Sequence, residues 1–198
     1  MTIGLTGGVA AGKSEALSAF GRLGAATISA DQVVHDLLDR EPLLGRLKER
    51  WGDEVAPEGR VDRGVVGAKV FNDPEELAWL ESQIHPLVGE EFRGWIEGLD
   101  PATKFAVAEI PLLFEGEMYR AFDHTVAIVA HEDTRQERAR SRGHEGVEGR
   151  EARQLSQAEK AERADTVIEN DGTPAELESK LATLLEKFES ELATGGQS

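Results

Sequence analysis

The stretch Gly7-Gly8-Val9-Ala10-Ala11-Gly12-Lys13-Ser14 satisfies the pattern G-x-x-x-x-G-K-[ST] at every fixed position. A run of this kind turns the backbone tightly and aims successive N–H groups at phosphate oxygens. A helix beginning at Lys13 would add about half a unit of positive charge at its N-terminus. Lys13 would then reach the β and γ phosphates of a nucleoside triphosphate, and the Ser14 hydroxyl would complete a magnesium shell. The competing reading is a glycine-rich turn that binds nothing, and the flanks decide between them. Residues 2–6 read as a short strand, and residues 13–22 as a helix with Ala16, Leu17, Phe20 and Leu23 on one stripe. A strand before and a helix after is the context a phosphate loop needs.

Outward from the loop, residues 25–29 make a second strand leading to Asp31, which gives a βαβ beginning with a right-handed crossover. Residues 33–98 are mostly helical, with Leu77, Leu80, Ile84, Leu87, Val88 and Ile96 at roughly helical intervals. Pro86 is expected to break or restart that helix, since it lacks an N–H and restricts His85. Strand patterns return at 105–110, 125–130 and 166–169, and Leu177, Leu181, Leu184, Leu185, Phe188 and Leu192 mark an amphipathic C-terminal helix. Five strands alternating with helices predict an α/β fold with a parallel sheet covered on both faces. The expected organisation is one domain over 1–194. Its core is 1–32, 101–134 and 154–194, its helical acceptor-binding region 33–100 and its lid 135–153, with 195–198 a frayed tail.

Composition bounds the function. The 198 residues are 39% hydrophobic and 30% charged, with no run long enough for a membrane span and no basic segment of a signal-peptide kind at the start. There is no cysteine, which excludes disulfides, thiolate metal sites and thiol catalysis. A cytoplasmic enzyme is the simplest expectation. The formal charge of −16 argues against a polynucleotide partner and leaves room for a small polyanion at a locally positive site. Such a site exists in outline. Residues 135–153 hold arginines at 135, 138, 140, 142, 150 and 153 against four glutamates, a local charge of +2. At 100° per residue, Arg135, Arg138 and Arg142 share a helix face and Arg140 does not. That suits a lid bringing guanidinium groups onto transferring phosphates; a solvated helix laced with Glu–Arg pairs is the alternative. Asp31, just past the second strand, reads equally as a base for an attacking hydroxyl or as the N-cap of a helix over 32–38. Trp51, Trp79 and Trp95 read as core.

Taken in order, these residues resemble the dephospho-coenzyme A kinases. The match runs through Gly4-Leu5-Thr6-Gly7-Gly8, Gly12-Lys13-Ser14, Ala30-Asp31 and Gly59-Arg60-Val61-Asp62-Arg63, then Val70-Phe71, Leu80-Glu81 and His85-Pro86. It continues through Pro111-Leu112-Leu113-Phe114-Glu115, Arg138, Arg142, Gln157, Lys160 and the run from Ala164 to Asn170. The resemblance implies a P-loop kinase fold like that of the nucleoside monophosphate kinases. It also implies transfer of the ATP γ-phosphoryl group to the ribose 3′-hydroxyl of dephospho-coenzyme A, with Mg2+. By position Asp31 is similar to the family's general base, Arg142 to its lid arginine and Asn170 to a nucleotide-base contact. The implied nucleotide site is Gly8 to Ser14 with Glu15, Arg138 and Asn170. The expected acceptor site is Asp31, His85, Leu113 and Phe114, where His85 reads as an acceptor contact or as a capping and packing residue, and Phe114 as a stacking platform or core. Three departures stand out. Ala10-Ala11 replace the usual Gly-Ser, Glu109 replaces a frequent Asp, and Arg135 replaces a common Gln. Rival expectations are another small-molecule kinase of this fold and a nucleotide-sensing regulator.

Overall fold

The computed structural model describes residues 1–71, 73–141 and 154–195. In chain order the elements are β1 (Thr2–Gly7), α1 (Lys13–Arg22), β2 (Ala26–Ser29), α2 (Ala30–Leu38), α3 (Leu43–Trp51), α4 (Arg63–Phe71) and α5 (Pro74–Glu97). There follow β3 (Ala106–Glu109), β4 (His124–Val129), α6 (Glu132–Ser141), α7 (Gln157–Arg163), β5 (Thr166–Glu169) and α8 (Pro174–Gly195). The chain divides into two compact units, one of residues 1–29 with 100–198 and one of Ala30–Leu99.

The first unit is built on a parallel five-stranded sheet of order β2-β3-β1-β4-β5. β1 is central, pairing Leu5 with Glu109 of β3 and with Val126 of β4. A strand flanked on both sides and covered on both faces is mostly apolar, and Ile3 and Leu5 are fully buried. The chain leaves β1 toward β2 on one side and later crosses to β4 on the other. The carboxyl end of β1 therefore lies at the switch point where α/β sheets open a crevice for ligands. On one face, Ala16, Ala19 and Phe20 of α1 pack with Leu177, Leu181, Leu184, Leu185 and Phe188 of α8. The stripes read from the sequence meet in this core, with Leu17 and Leu23 partly buried against it, except that Leu192 stands exposed beyond it.

The second unit has its own core of Leu37, Leu38, Leu43, Leu47, Val55, Val66, Leu80 and Ile84. Trp51 and Trp79 pack partly buried against it, edge to face at 5.1 Å. Trp95 is half-buried and stands outside that cluster, so it departs from the core expectation. Pro86 does not break the helix: α5 runs unbroken from Pro74 to Glu97 with Pro86 inside it. Loss of one i→i−4 bond is offset because Leu80, Ile84 and Phe92, on both sides of the proline, are buried. The start of α5 is secured by Asp73, whose carboxylate accepts from the N–H groups of Glu75 and Glu76.

Two measurements check these contacts. Leu181 is fully buried between α8 and the sheet, so Leu181→Ala should lower the unfolding free energy by about 2–5 kcal/mol in urea titration. At the amino end of β1, the Asp123 carboxylate accepts from the Thr2 N–H at 2.7 Å and the Thr2 hydroxyl at 3.0 Å. The backbone bond first, with the hydroxyl bond and the nearby N-terminal charge, holds its pKa below the ordinary 3.8. A depressed folded pKa gives stability that is present above the unfolded value and lost as pH falls through the folded one. Asp123→Asn should therefore flatten the decline in stability between about pH 5 and about pH 2.

Candidate active site

The loop following β1 meets its function through backbone conformation. Gly7 has φ 153° and Gly12 φ 100°. A Cβ on Gly7 would strike the Ile128 carbonyl, and one on Gly12 would strike the Asn170 amide nitrogen. Gly12 is the N-cap of α1 and has no side chain to bond the first helical N–H groups. Those donors are thus not satisfied by a side-chain cap, and they sit where the helix dipole is positive. Between the glycines, Ala10 takes φ 58°, the left-handed basin. The loop does use a conformation alanine accepts, at a cost of roughly 1 kcal/mol relative to glycine. The Lys13 ammonium lies across the loop, donating to Gly7 O at 3.3 Å and Gly8 O at 2.9 Å. Ser14 is exposed, and Glu15 pairs with Arg22 at 2.8 Å.

Asn170 and Arg138 brace the far side of the loop. Asn170, 5% exposed at the end of β5, donates to Ala11 O at 2.8 Å. Arg138 donates to Ala11 O at 3.3 Å and Asn170 O at 2.9 Å. Arg135 reaches Val9 O at 3.4 Å and also pairs with Glu132. Arg140 turns instead to Gln136. The face shared by Arg135 and Arg138 is therefore the one on the loop, while Arg142 lies outside the described residues together with Arg150 and Arg153. A cavity of about 360 Å³ lies against this corner, lined by Gly8, Val9, Arg135, Gln154 and Gln157 among others. It is of a size suited to a small ligand.

Leu113 is fully buried and Phe114 5% exposed, with Phe114 packed on Tyr119 at 5.6 Å. Both side chains point inward and support the turn after β3, whereas Leu112 between Pro111 and Leu113 stands exposed. Glu109 closes β3, 5% exposed, with the Ser29 hydroxyl donating to its Oε2 at 2.8 Å. In the second unit, Asp31 is exposed in the first turn of α2, which begins at Ala30. It is not the N-cap of a helix over 32–38, because the helix starts before it. His85 is exposed in the middle of α5.

Sequence reasoning assigned no task to α7, yet the helix faces this corner. Gln157 bonds both the N–H and the C=O of Ala130, at 3.0 and 2.9 Å, and extends the pairing of β4 past its end. Lys160 is fully buried, with its ammonium 2.6 Å from Pro111 O and 3.3 Å from Glu115. Burial pushes its pKa down, and Glu115 pushes it back up. The available signal was the spacing: Gln157 and Lys160, three apart, share one helix face.

A parallel sheet with a phosphate loop at its switch point, an uncapped helix start and arginines on the loop defines a P-loop kinase. The dephospho-CoA kinase family model matches residues 1–176, so the chain belongs to the dephospho-CoA kinase family. It is 34% identical to the dephospho-CoA kinase of Chlamydia pneumoniae over 189 residues, 91% of this chain and 93% of that one. Among solved structures it is similar to TT1252 from Thermus thermophilus, with TM-score 0.81 and 31% identity over 94% of this chain and 97% of that one. It is similar also to the dephospho-CoA kinase of Campylobacter jejuni, with TM-score 0.70 and 27% identity over 94% and 96% of the two chains. Membership defines a phosphotransferase of the final step of coenzyme A biosynthesis, moving the ATP γ-phosphoryl group to the ribose 3′-hydroxyl of dephospho-coenzyme A.

Loop geometry yields opposite outcomes at neighbouring positions. Gly12→Ala should abolish ATP binding by calorimetry, because its Cβ meets Asn170. Ala10→Gly should keep ATP affinity and raise stability by up to about 1 kcal/mol, relief of the left-handed strain outweighing the freer unfolded chain.

Proposed function

We propose that this chain catalyses in-line phosphoryl transfer without a covalent enzyme intermediate. The observation that carries this reading is the start of α1: a glycine N-cap without a side-chain cap, in a loop where Lys13 follows directly. The backbone N–H groups from Gly8 to Ser14 and the Lys13 ammonium hold the triphosphate, and Lys13 leaves its loop carbonyls for the phosphate oxygens. Arg138 and Asn170, already bonded to the loop and to each other, border the nucleotide. Glu15, paired with Arg22, takes part at most through its backbone.

On the acceptor side, Asp31 takes the proton of the 3′-hydroxyl as its oxygen bonds to the γ-phosphorus and the bond to the ADP oxygen breaks. Its place supports that role, since it stands two residues after Ser29, the last residue of β2, and is exposed. The inward packing of Leu113 and Phe114 makes them supports of the turn after β3, and His85, exposed on α5, contacts the acceptor in this reading. Arg142, assigned by resemblance, stabilises charge on the transferring group.

The chemistry of the donors fits a hard cation carried largely by substrate. Ser14 offers an exposed hydroxyl and Glu109 a carboxylate at the end of β3, while no described cluster of three His, Cys, Asp or Glu could cage an ion. Mg2+ held there with ATP would supply charge that neutralises the phosphates. ATP and dephospho-coenzyme A suffice as partners. No described helix is long and apolar enough to cross a membrane, and a cytoplasmic setting suits two soluble substrates.

The test separates chemistry from binding. Asp31→Asn should lower kcat by about 10²-fold or more with ATP affinity unchanged, and Arg142→Ala by about 10³-fold or more. Normal turnover in either variant removes that residue from the chemistry.

A further inference from the structure

The most unusual group outside the phosphate loop is a lysine with no exposed surface. Lys160 donates to Pro111 O at 2.6 Å and to Gln154 Oε1 at 3.3 Å, and lies 3.3 Å from Glu115 Oε1. Its partners are themselves engaged. Pro111 O also accepts the hydroxyl of Thr6 at 3.3 Å, and Thr6, fully buried, immediately precedes Gly7 of the loop. Glu115 Oε1 accepts the Leu155 N–H at 2.8 Å, while Glu115 Oε2 is buried without a hydrogen-bond partner among the described residues. One ammonium thus joins three segments: the root of the phosphate loop, the turn over 111–115, and the chain at 154–155.

Burying a charged pair is costly, and a neutral pair of similar volume is often as stable or more so. Stability alone is therefore a poor account of this arrangement. What the ammonium does that an apolar side chain cannot is fix a carbonyl. Pro111 O is held between the Thr6 hydroxyl and Lys160 Nζ, which sets where the 111–115 turn leaves β3 relative to the loop. Errors of about 1 Å in such positioning cost about 10²-fold in rate.

We propose that Lys160, held by Glu115, is a positioning residue for phosphoryl transfer, aligning the 111–115 turn with the root of the phosphate loop through the Pro111 carbonyl. It touches neither substrate. The loop's own nucleotide contacts, made by backbone N–H groups and Lys13, do not pass through it. Its loss should therefore fall on kcat and leave ATP binding in place. The inference rests on the kinase activity being the one measured, and wild-type turnover with dephospho-coenzyme A checks that separately.

The experiment compares wild type, Lys160→Met, Glu115→Gln and the double variant Lys160→Met/Glu115→Gln. Urea midpoint, ATP affinity by calorimetry and kcat by acceptor-dependent ADP release are read for each. Lys160→Met should lower kcat by about tenfold or more and change ATP affinity by less than about threefold. The single variant leaves a buried carboxylate uncompensated and can lose stability for that reason alone. The double variant removes both charges, so its urea midpoint should return toward wild type while its kcat stays low. Glu115→Gln keeps an acceptor oxygen for Leu155 and should cost less than Lys160→Met. Recovery of kcat together with stability in the double variant would overturn the proposal and reduce the pair to a charge-balanced core contact. A loss of ATP affinity matching the loss of kcat would overturn it equally. Should the double variant remain unstable, kcat per ATP-binding molecule carries the same two outcomes.

Discussion

Everything here depends on a short piece of backbone offering its own N–H groups to a polyanion. An extended strand cannot meet that demand, because its carbonyls and amides alternate in direction along the chain. Left-handed residues at Ala10 and Gly12, with the wide φ of Gly7, turn the chain between β1 and α1. The rest of the first unit keeps that piece in place. β1 anchors its start at the centre of the sheet, α1 buries Ala16, Ala19 and Phe20 to anchor its end, and Asn170 and Arg138 hold Ala11 O from the side.

The electrostatics follow from the same constraint. A chain of net charge −16 repels anionic substrates over most of its surface. Attraction must be local, and it is concentrated in Lys13, the N-terminus of α1, Arg135 and Arg138. Arg135 and Arg138 bond to loop carbonyls, which holds their charge beside the loop instead of out in solvent. Arg135 illustrates the cost of such placement. It serves both Val9 O and Glu132, and its Nε, also buried, has no partner among the described residues.

Much of this was legible in the sequence because it is local. The phosphate loop is a contiguous pattern, the stripe of α1 repeats every three to four residues, and the α8 leucines do the same over 22 residues. Misreadings arose where tertiary contacts outvote local rules. Pro86 looked like a break, yet buried neighbours on both sides carry α5 through it. Asp31 looked like a possible cap, yet α2 begins a residue earlier, at Ala30. Ala10 could be flagged as awkward, but only coordinates give its φ of 58°. Least legible was the buried pair of Lys160 and Glu115, 45 positions apart, since sequence cannot tell a buried lysine from a solvated one. The family pattern contained both residues without saying what they do.

The central claim is that the loop and its neighbours serve transfer to one hydroxyl of one acceptor. The direct measurement mixes the enzyme with ATP, Mg2+ and dephospho-coenzyme A and identifies the product by phosphorus NMR while counting ADP. The account predicts ADP and coenzyme A formed one for one, with the new phosphate on the ribose 3′ oxygen. ADP released at the same rate without the acceptor, or phosphate found on any other atom, would contradict it.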